Sequence, residues 1–494
     1  MRLLLLSSFQ VGGNNTTTLS NNKSSKINNL QINCKLLILS LCLWSKHEMG
    51  LEMLIEFNVE NFLSFKDLTT LSMVAAKSFK EHKESHTIST AKNLTLLKSA
   101  VVYGNNASGK SNLLEAMDFM KVTVLNSFRD ALIGNSERKF PLEKFALSST
   151  SEKETSFFEI TFLQNDIKYR YGFELDFEKV VAEWLFHTTS KEVCLFKRDL
   201  QKIEINKSTF KEGLGKEEDV RENVLFLSFL AYHQKSEISN SIINWFRNLN
   251  FINGIHDRGH KRYTIDKLKS DQQFFHWVLH FIKYLEISNL STTEEDVNEV
   301  NLDTLREKEK DEEIINLLTS IQKIQSKQPK RDQLITYHRK YDENNVLIDT
   351  IPFNFDQQES EGTKKLLYLL GPWYDTLKNG KVLIIDELDS RLHSHLTLRL
   401  IDFFHHFNQS SAQLICAVHD ISLLNKETYR RDQIWFVEKN QFGASELISL
   451  ADFKTDKVRN NSAFDKNYLE GKYGAIPYFD IDEKLKELLY GKGE

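Results

Sequence analysis

Val101-Val-Tyr-Gly-Asn-Asn-Ala-Ser-Gly-Lys-Ser-Asn-Leu-Leu-Glu-Ala-Met117 lies about a fifth of the way into a chain of 494 residues. An apolar run, Leu97 to Tyr103, stops at Gly104 and reads as a short strand. Small and polar residues follow, and Lys110-Ser111 opens a new pattern. Leu113, Met117, Met120, Val124 and Phe128 are spaced by three or four, so they share one face of a helix. The bend between strand and helix is Gly104-Asn105-Asn106-Ala107-Ser108-Gly109-Lys110-Ser111, which fits G-x-x-x-x-G-K-[ST]. Glycines let such a backbone curl so that its N–H groups point inward at phosphate oxygens, and the helix that starts there adds its positive end. Lys110 is expected to reach the β- and γ-phosphates of ATP, and the Ser111 hydroxyl to coordinate Mg²⁺. At average residue usage a chain of this length matches by accident on the order of 2% of the time. The flanking strand and helix therefore make a plain loop the poorer reading.

A phosphate loop needs an acid for the metal and a group for water. Val382-Leu-Ile-Ile-Asp-Glu387 offers both at the end of a buried strand. Asp386 is expected to hold Mg²⁺, and Glu387 to orient or deprotonate the attacking water. The plainer alternative is that the two carboxylates only end a strand and cap a helix. Gln413 to Val418 forms the next apolar strand, with His419 at its ligand-side end. A lone strand-end histidine is commonly structural; its place one strand after the acid pair favours a catalytic role. Ser360-Glu-Gly-Thr-Lys-Lys-Leu-Leu367 reads as a helix start with Ser360 as cap and Gly362 allowing close approach.

Composition limits the classes. A hydrophobic share of 40%, 27% charged residues and a net charge of −5 describe an ordinary globular protein and make a globally basic nucleic-acid binder a poor fit. Cys34, Cys42, Cys194 and Cys416 are scattered without a C-x-x-C pair, which fits a reducing cytoplasm better than a disulfide or zinc framework. The first part of the chain is Asn/Thr/Ser-rich, and its apolar run Leu36 to Trp44 falls far short of the roughly 20 residues a membrane helix needs. Residues 1–52 read as a disordered leader or a misassigned start.

Residues 155–186 alternate in polarity around a hairpin turn at Asn165-Asp166. From 205 to 335 the chain is charged and helix-prone, as in Thr304 to Leu318, with a break at Pro329. After 350, short apolar strands alternate with helical patterns, one carrying Leu392, Leu396, Leu400, Phe403 and Phe407. That alternation indicates a parallel sheet covered on both faces. The expected domains are an ATPase N-terminal lobe over 53–204, a helical insertion over 205–335, a C-terminal lobe over 336–480 and a tail over 481–494. The basic, aromatic-containing stretches His256 to Tyr263 and Tyr337 to Tyr341 could bind nucleic acid, although such stretches are usually solvated loops.

Taken in order, these motifs resemble the ABC-type ATPase heads of the SMC, RecF and OLD class. More closely, residues 53–480 resemble the RloA-like AAA ATPases of bacterial anti-phage defence, such as the ATPase subunit of PARIS. Ile55 to Phe65, Tyr169 to Phe173, Arg430 to Lys439 and Gly471 to Tyr478 carry the closer likeness. The fold expected is α/β: an ABC-type P-loop NTPase head with an antiparallel β subdomain and a helical insertion. The resemblance implies that Ser360 and Gly362 act on ATP held by a second copy, with Leu388 to His393 as the loop across that interface. It implies a homo-oligomer, at least a dimer, with slow, assembly-dependent hydrolysis, and a partner effector such as a TOPRIM-type or other nuclease. Two departures stand out. The signature lacks the second glycine and the glutamine of transporter motifs, and Leu63 stands where RecF-like relatives often carry an arginine. No glutamine can be assigned to a Q-loop. No membrane role is expected, and no nuclease, protease or kinase constellation is evident, so effector chemistry has to come from elsewhere. The competing readings are a RecF-like DNA-maintenance ATPase and a scaffold that binds ATP without turnover. A chain starting at Met53 is expected to stay soluble and keep any ATPase activity; aggregation or an inactive product would show that the leader is needed.

Overall fold

The computed structural model describes residues 51–90, 94–133, 140–233, 236–255, 258–295, 331–453 and 464–474, with residues 314 and 488. At its centre is a sheet of six strands: β1 (Ser99–Gly104), β2 (Leu249–Asn253), β3 (Val382–Asp386), β4 (Gln413–Ala417), β5 (Ile434–Lys439) and β6 (Ser445–Ser449). The spatial order is β2-β3-β4-β1-β5-β6; the first five are parallel and β6 runs antiparallel along β5. All six residues of β1 and all five of β4 are buried. Successive side chains leave opposite faces of a strand, so the apolar run feeds two cores at once. Val102, Ile384 and Ile415 join one core with Leu113, Met117, Met120 and Val124 of helix α1 (Lys110–Ile133). Val101, Leu383 and Leu414 join the other, with Leu366, Leu369 and Trp373 of α2 (Glu361–Asn379) and Leu400, Ile401 and Phe404 of α3 (Ser394–Phe407).

A second sheet of seven strands covers the α1 side. It is antiparallel throughout: Met53–Glu60 pairs with Ser156–Gln164, and strands to residue 205 follow as a meander. Asn165 and Asp166 form the hairpin turn between Gln164 and Ile167, both with positive φ, which Asn and Asp tolerate better than most residues. Gln413 stitches the two sheets: its Nε2 donates to Leu54 O and Leu97 O at 3.0 Å each, and its Oε1 accepts from Leu54 N at 2.6 Å. The α/β class and the antiparallel subdomain expected from the motifs are both present.

Three expectations need correction. The segment 205–335 is not simply helical. Leu249–Asn253 is the β2 edge of the core sheet, and Asn289–Glu295 pairs with Arg331–Tyr341 in a three-stranded antiparallel sheet. A boundary at 335/336 would therefore cut that strand in the middle. Leu-Asn-Phe-Ile-Asn is too short and polar to declare a strand locally; the neighbouring β3 templates it. The face of α3 is broader than the expected one: Leu400 is buried and Leu392, Leu396 and Phe403 pack against the same core, but Thr397, Ile401, Phe404 and His405 are buried too, Phe407 is exposed, and Leu392 precedes the helix. His405 enters the interior through a hydrogen bond to Ser99 and a ring stack on His86. Residues 1–50 of the leader, Thr304 to Leu318 apart from Ile314, Pro329 and most of the tail fall outside the described residues.

At the amino end of β1, Arg430 and Asp432 form a buried ion pair at 2.8 Å, and Gln433 bridges His86 Nδ1 at 2.8 Å and Ser99 Oγ at 2.7 Å. The residues Arg430-Arg-Asp-Gln433 thus serve packing at the end of the sheet away from the phosphate loop. Burial lowers the pKa of His86 from 6.5 to about 3, against the opposing Gln433 hydrogen bond, and His82, Arg430 and His406 push the same way as burial. His405, fully enclosed, is held well below the ordinary histidine range, first by burial and then by His86 and Lys98. Below about pH 6.5 the unfolded chain binds protons that the folded chain refuses, so stability falls on acidification, by up to about 1.4 kcal/mol per pH unit for each histidine. Urea midpoints measured from pH 7.5 to 5 should decline accordingly, and His405→Phe should make the decline shallower.

Candidate active site

The carboxyl ends of β3, β4 and β1 lie side by side, because Ile385 pairs with Cys416 and Ala417 with Val102. The loops that leave these ends carry Asp386-Glu387, His419 and Gly104 to Ser111. Loops on a rigid buried sheet are where catalytic groups are commonly placed. The structure thus brings the three motifs to one edge.

The phosphate loop is backbone packed on backbone. A Cβ on Gly104 would sit 2.4 Å from Val437 O and 2.6 Å from Ser108 Oγ. Gly109 has φ +115, and a Cβ there would meet Ser445 Oγ at 2.3 Å and Ser64 Oγ at 2.7 Å. Ala107 also has positive φ. Asn106 and Ala107 are exposed at the crest, and Ser111 is exposed at the second position of α1. Lys110 is buried, and its ammonium donates to Gly104 O at 2.8 Å and Asn105 O at 3.1 Å. Burial lowers its pKa from the ordinary lysine value, while the Asp386, Asp389 and Glu387 carboxylates oppose the shift and show how near the acid pair lies.

Whether these residues fit a triphosphate and a divalent cation can be judged from buried polar atoms. Asn105 Oδ1, Ser108 Oγ and Asp386 Oδ1 are buried without a hydrogen-bond partner. Such atoms are rare in folded proteins and cost on the order of 1–3 kcal/mol each. Fourteen such atoms occur among the described residues; these three belong to the phosphate loop and the acid turn, where they fit a site completed by a ligand. Lys110 and the 104–109 backbone would hold phosphates, and Ser111 with Asp386 would hold Mg²⁺, whose charge would stabilise the anionic transferring group.

Glu387 adopts φ +52, a conformation that costs a non-glycine residue on the order of 1–3 kcal/mol and that clusters at functional sites. It does so inside a packed turn. Leu388 N donates to Ala417 O at 3.2 Å and Ser390 N to Glu387 O at 3.1 Å. Asp389 Oδ2 accepts from the backbone N–H of His419 at 2.7 Å and of Asp420 at 2.6 Å. His419 itself is exposed. Ser360 is the expected cap, its Oγ accepting from Thr363 N at 3.1 Å, and it too is exposed. Gly362 lies under the 388–393 loop, where a Cβ would meet Arg391 O at 2.9 Å. No hydrogen bond among the described residues joins Ser360 or Gly362 to residues 104–111 of the same chain, and Ser360 and Glu361 at the helix start are exposed.

Residues that sequence reading passed over also shape the site. Ser445 Oγ lies 2.5 Å from Ser108 O and 2.7 Å from Ser64 Oγ, which also accepts from Asn112 Nδ2 at 2.7 Å, so two distant serines prop the loop. Ser64 follows Leu63, the position where an arginine was missed. Gly254, just after β2, donates its N–H to Asp386 O at 2.7 Å, and a Cβ there would lie 2.3 Å from Glu387 O. Only its following β2 onto the core edge gives it away, and β2 itself was illegible. Of the basic stretches, Lys261 bonds Asp356 at 2.6 Å and His338 bonds Glu359 at 2.6 Å, so part of their charge is spent within the chain; His256 and Asp257 lie outside the described residues.

Residues 99–425 match the family model AAA_21, described as "AAA domain, putative AbiEii toxin, Type IV TA system". The chain belongs to this family. The match runs from β1 past His419, across every motif at the sheet edge, and it puts the chain among the P-loop ATPases. Among solved structures it is similar to the SMC head domain from Thermotoga maritima, at 11% identity and a TM-score of 0.35, over 80% of this chain and 98% of that one. It is also similar to an SMC head bound to the C-terminal winged-helix domain of ScpA, at 13% identity and a TM-score of 0.35, over 82% and 99%. No curated protein matches the sequence significantly. Among the described residues no helix is long and apolar enough to cross a membrane.

Replacing Gly254 with alanine should force the Glu387 peptide to move while leaving the phosphate loop alone. The expected result is ATP affinity within about threefold of wild type and hydrolysis lowered tenfold or more; equal turnover would show that the turn tolerates displacement.

Proposed function

We propose that this chain is an ABC-type ATPase that closes around ATP between two copies of itself and uses the nucleotide state to regulate a partner effector, a nuclease, in bacterial anti-phage defence. The single observation that carries the reading is a division within the chain. The phosphate loop and acid turn hold unpartnered buried acceptors at the sheet edge, while the Ser360 cap stands exposed with its hydroxyl engaged only within its own helical turn. A helix start is an anion site, and an exposed one meets a γ-phosphate most simply on another copy.

In this reading Lys110 and the backbone from Gly104 to Gly109 hold the phosphates, with Asn105, Asn106, Ala107 and Ser108 lining the curl. Ser111 and Asp386 hold Mg²⁺. Glu387 orients the attacking water, His419 senses the γ-phosphate, and Ser360 with Gly362 completes the partner's site. Assembly then depends on ATP because both copies contact each γ-phosphate, and turnover is slow without assembly. The toxin–antitoxin description of the family and the likeness to RloA-like ATPases support the defence role; a cytoplasmic location accords with it. A TOPRIM-type or other nuclease is the effector class that likeness suggests. A RecF-like role in DNA maintenance would instead require strong stimulation of hydrolysis by duplex or gapped DNA with no protein partner.

Lys110→Ala should lose nucleotide binding, read with a fluorescent ATP analogue. Glu387→Gln should bind ATP, fall by about two orders of magnitude or more in hydrolysis, and accumulate as a nucleotide-dependent dimer or larger species in light scattering. Wild-type turnover by Glu387→Gln would refute the role given to that carboxylate.

A further inference from the structure

We infer that Lys365 is a positioning residue for the water-orienting Glu387 of its own chain. The inference rests on the two-copy reading above and deepens it. Lys365 lies on α2, five residues after Ser360, and is only 1% exposed. Its ammonium donates to Glu387 O at 2.8 Å and to Ser390 O at 2.6 Å. A buried lysine that donates to two main-chain carbonyls of one turn is placed to fix that turn, since burial of such a group is costly unless it is well bonded.

The geometry gives that use a purpose. Glu387 sits in the left-handed region, a conformation that persists only where its surroundings over-determine it. Its carbonyl accepts from Ser390 N at 3.1 Å and is crowded further by two other groups. On one side Gly254 leaves no room, since a Cβ there would lie 2.3 Å away; on the other, Lys365 donates to it. Without the ammonium, the Glu387 carbonyl keeps only the longer bond from Ser390 N, at 3.1 Å, so the strained peptide can shift toward an ordinary conformation and carry the carboxylate with it. Two further joints tie the same helix start to the same turn: Arg391 Nη1 to the Glu361 carboxylate at 3.2 Å, and Gly362 beneath Arg391 O. Glu361, Gly362 and Lys365 thus brace, from the first turns of α2, the turn that carries the water-orienting acid of the same chain.

The test uses the full chain. Lys365→Met, close in length and without charge, should lower kcat for ATP by about 10²-fold, the order expected when a catalytic group is displaced by about 1 Å, with KM and ATP-analogue affinity within about twofold. Lys365→Arg, which keeps the cation, should recover part of kcat. Mixing separates the claims. Ser360→Arg removes the helix contribution and Glu387→Gln the acid; if the two-copy reading holds, mixing these inactive variants at equal amounts restores about a quarter of wild-type activity, through mixed dimers with one intact site. Absence of that recovery overturns the two-copy reading. With that recovery in hand, Lys365→Met mixed with Ser360→Arg should recover likewise, because the Lys365→Met copy still supplies a sound Ser360, whereas Lys365→Met mixed with Glu387→Gln should stay inactive. Recovery in the second mixture and not the first, or near-wild-type kcat for Lys365→Met alone, overturns the positioning role. So does a parallel loss of kcat and ATP affinity in both Lys365 variants.

Discussion

Three parallel strands, β3, β4 and β1, lie in register with every middle residue buried, and the rest of the molecule follows from that alignment. Their alternating side chains seed two separate cores, so helices pack on one face and α1 with the antiparallel sheet on the other. Because the strands are parallel and level, their carboxyl ends stop together, and every loop that leaves them has the same neighbours. A phosphate loop, an acid pair and a histidine far apart in the chain come to one edge without any contact designed for that purpose alone.

What the edge then requires is precision of backbone. Gly104 against Val437, Gly109 against Ser64 and Ser445, and Gly254 against Glu387 are contacts where a single added carbon would not fit. The strained Glu387 and Arg391 conformations survive because the turn between them is held on several sides, by the β4 backbone, by Asp389 and by Lys365. Rigid main chain is a cheaper way to hold a catalytic geometry than long side chains, which lose more conformational freedom when ordered. The unpartnered acceptors left in this otherwise well-bonded region are then intelligible as positions reserved for a charged ligand.

The far end of the sheet is organised differently. There, Gln413, Gln433, Ser99, His86, His405 and the Arg430–Asp432 pair form a buried polar network that joins the antiparallel sheet, α3 and the core strands. Polar networks of this kind define one arrangement of elements more sharply than apolar packing alone, because any slip leaves a donor or acceptor unmet. The two ends thus differ: one fixes how the layers sit, the other carries the phosphate loop and the acid pair.

Much was legible in the amino-acid order. The bend from Gly104 to Ser111, the apolar strand running into Asp386-Glu387, the α1 face, the Asn165-Asp166 turn and the Ser360 cap are all set by local chemistry: backbone freedom, side-chain period, and short polar groups that bond their own neighbours. Tertiary structure alone decided the rest. Leu249–Asn253 becomes a strand because β3 offers it an edge; His405 is buried because Ser99 and His86 partner it; Ser64, Ser445, Gly254 and Lys365 matter because of what lies beside them in space. A motif is written within a few consecutive residues, whereas the groups that hold it in shape are 20 to several hundred positions away, and only the closing of the sheet brings them within bonding distance.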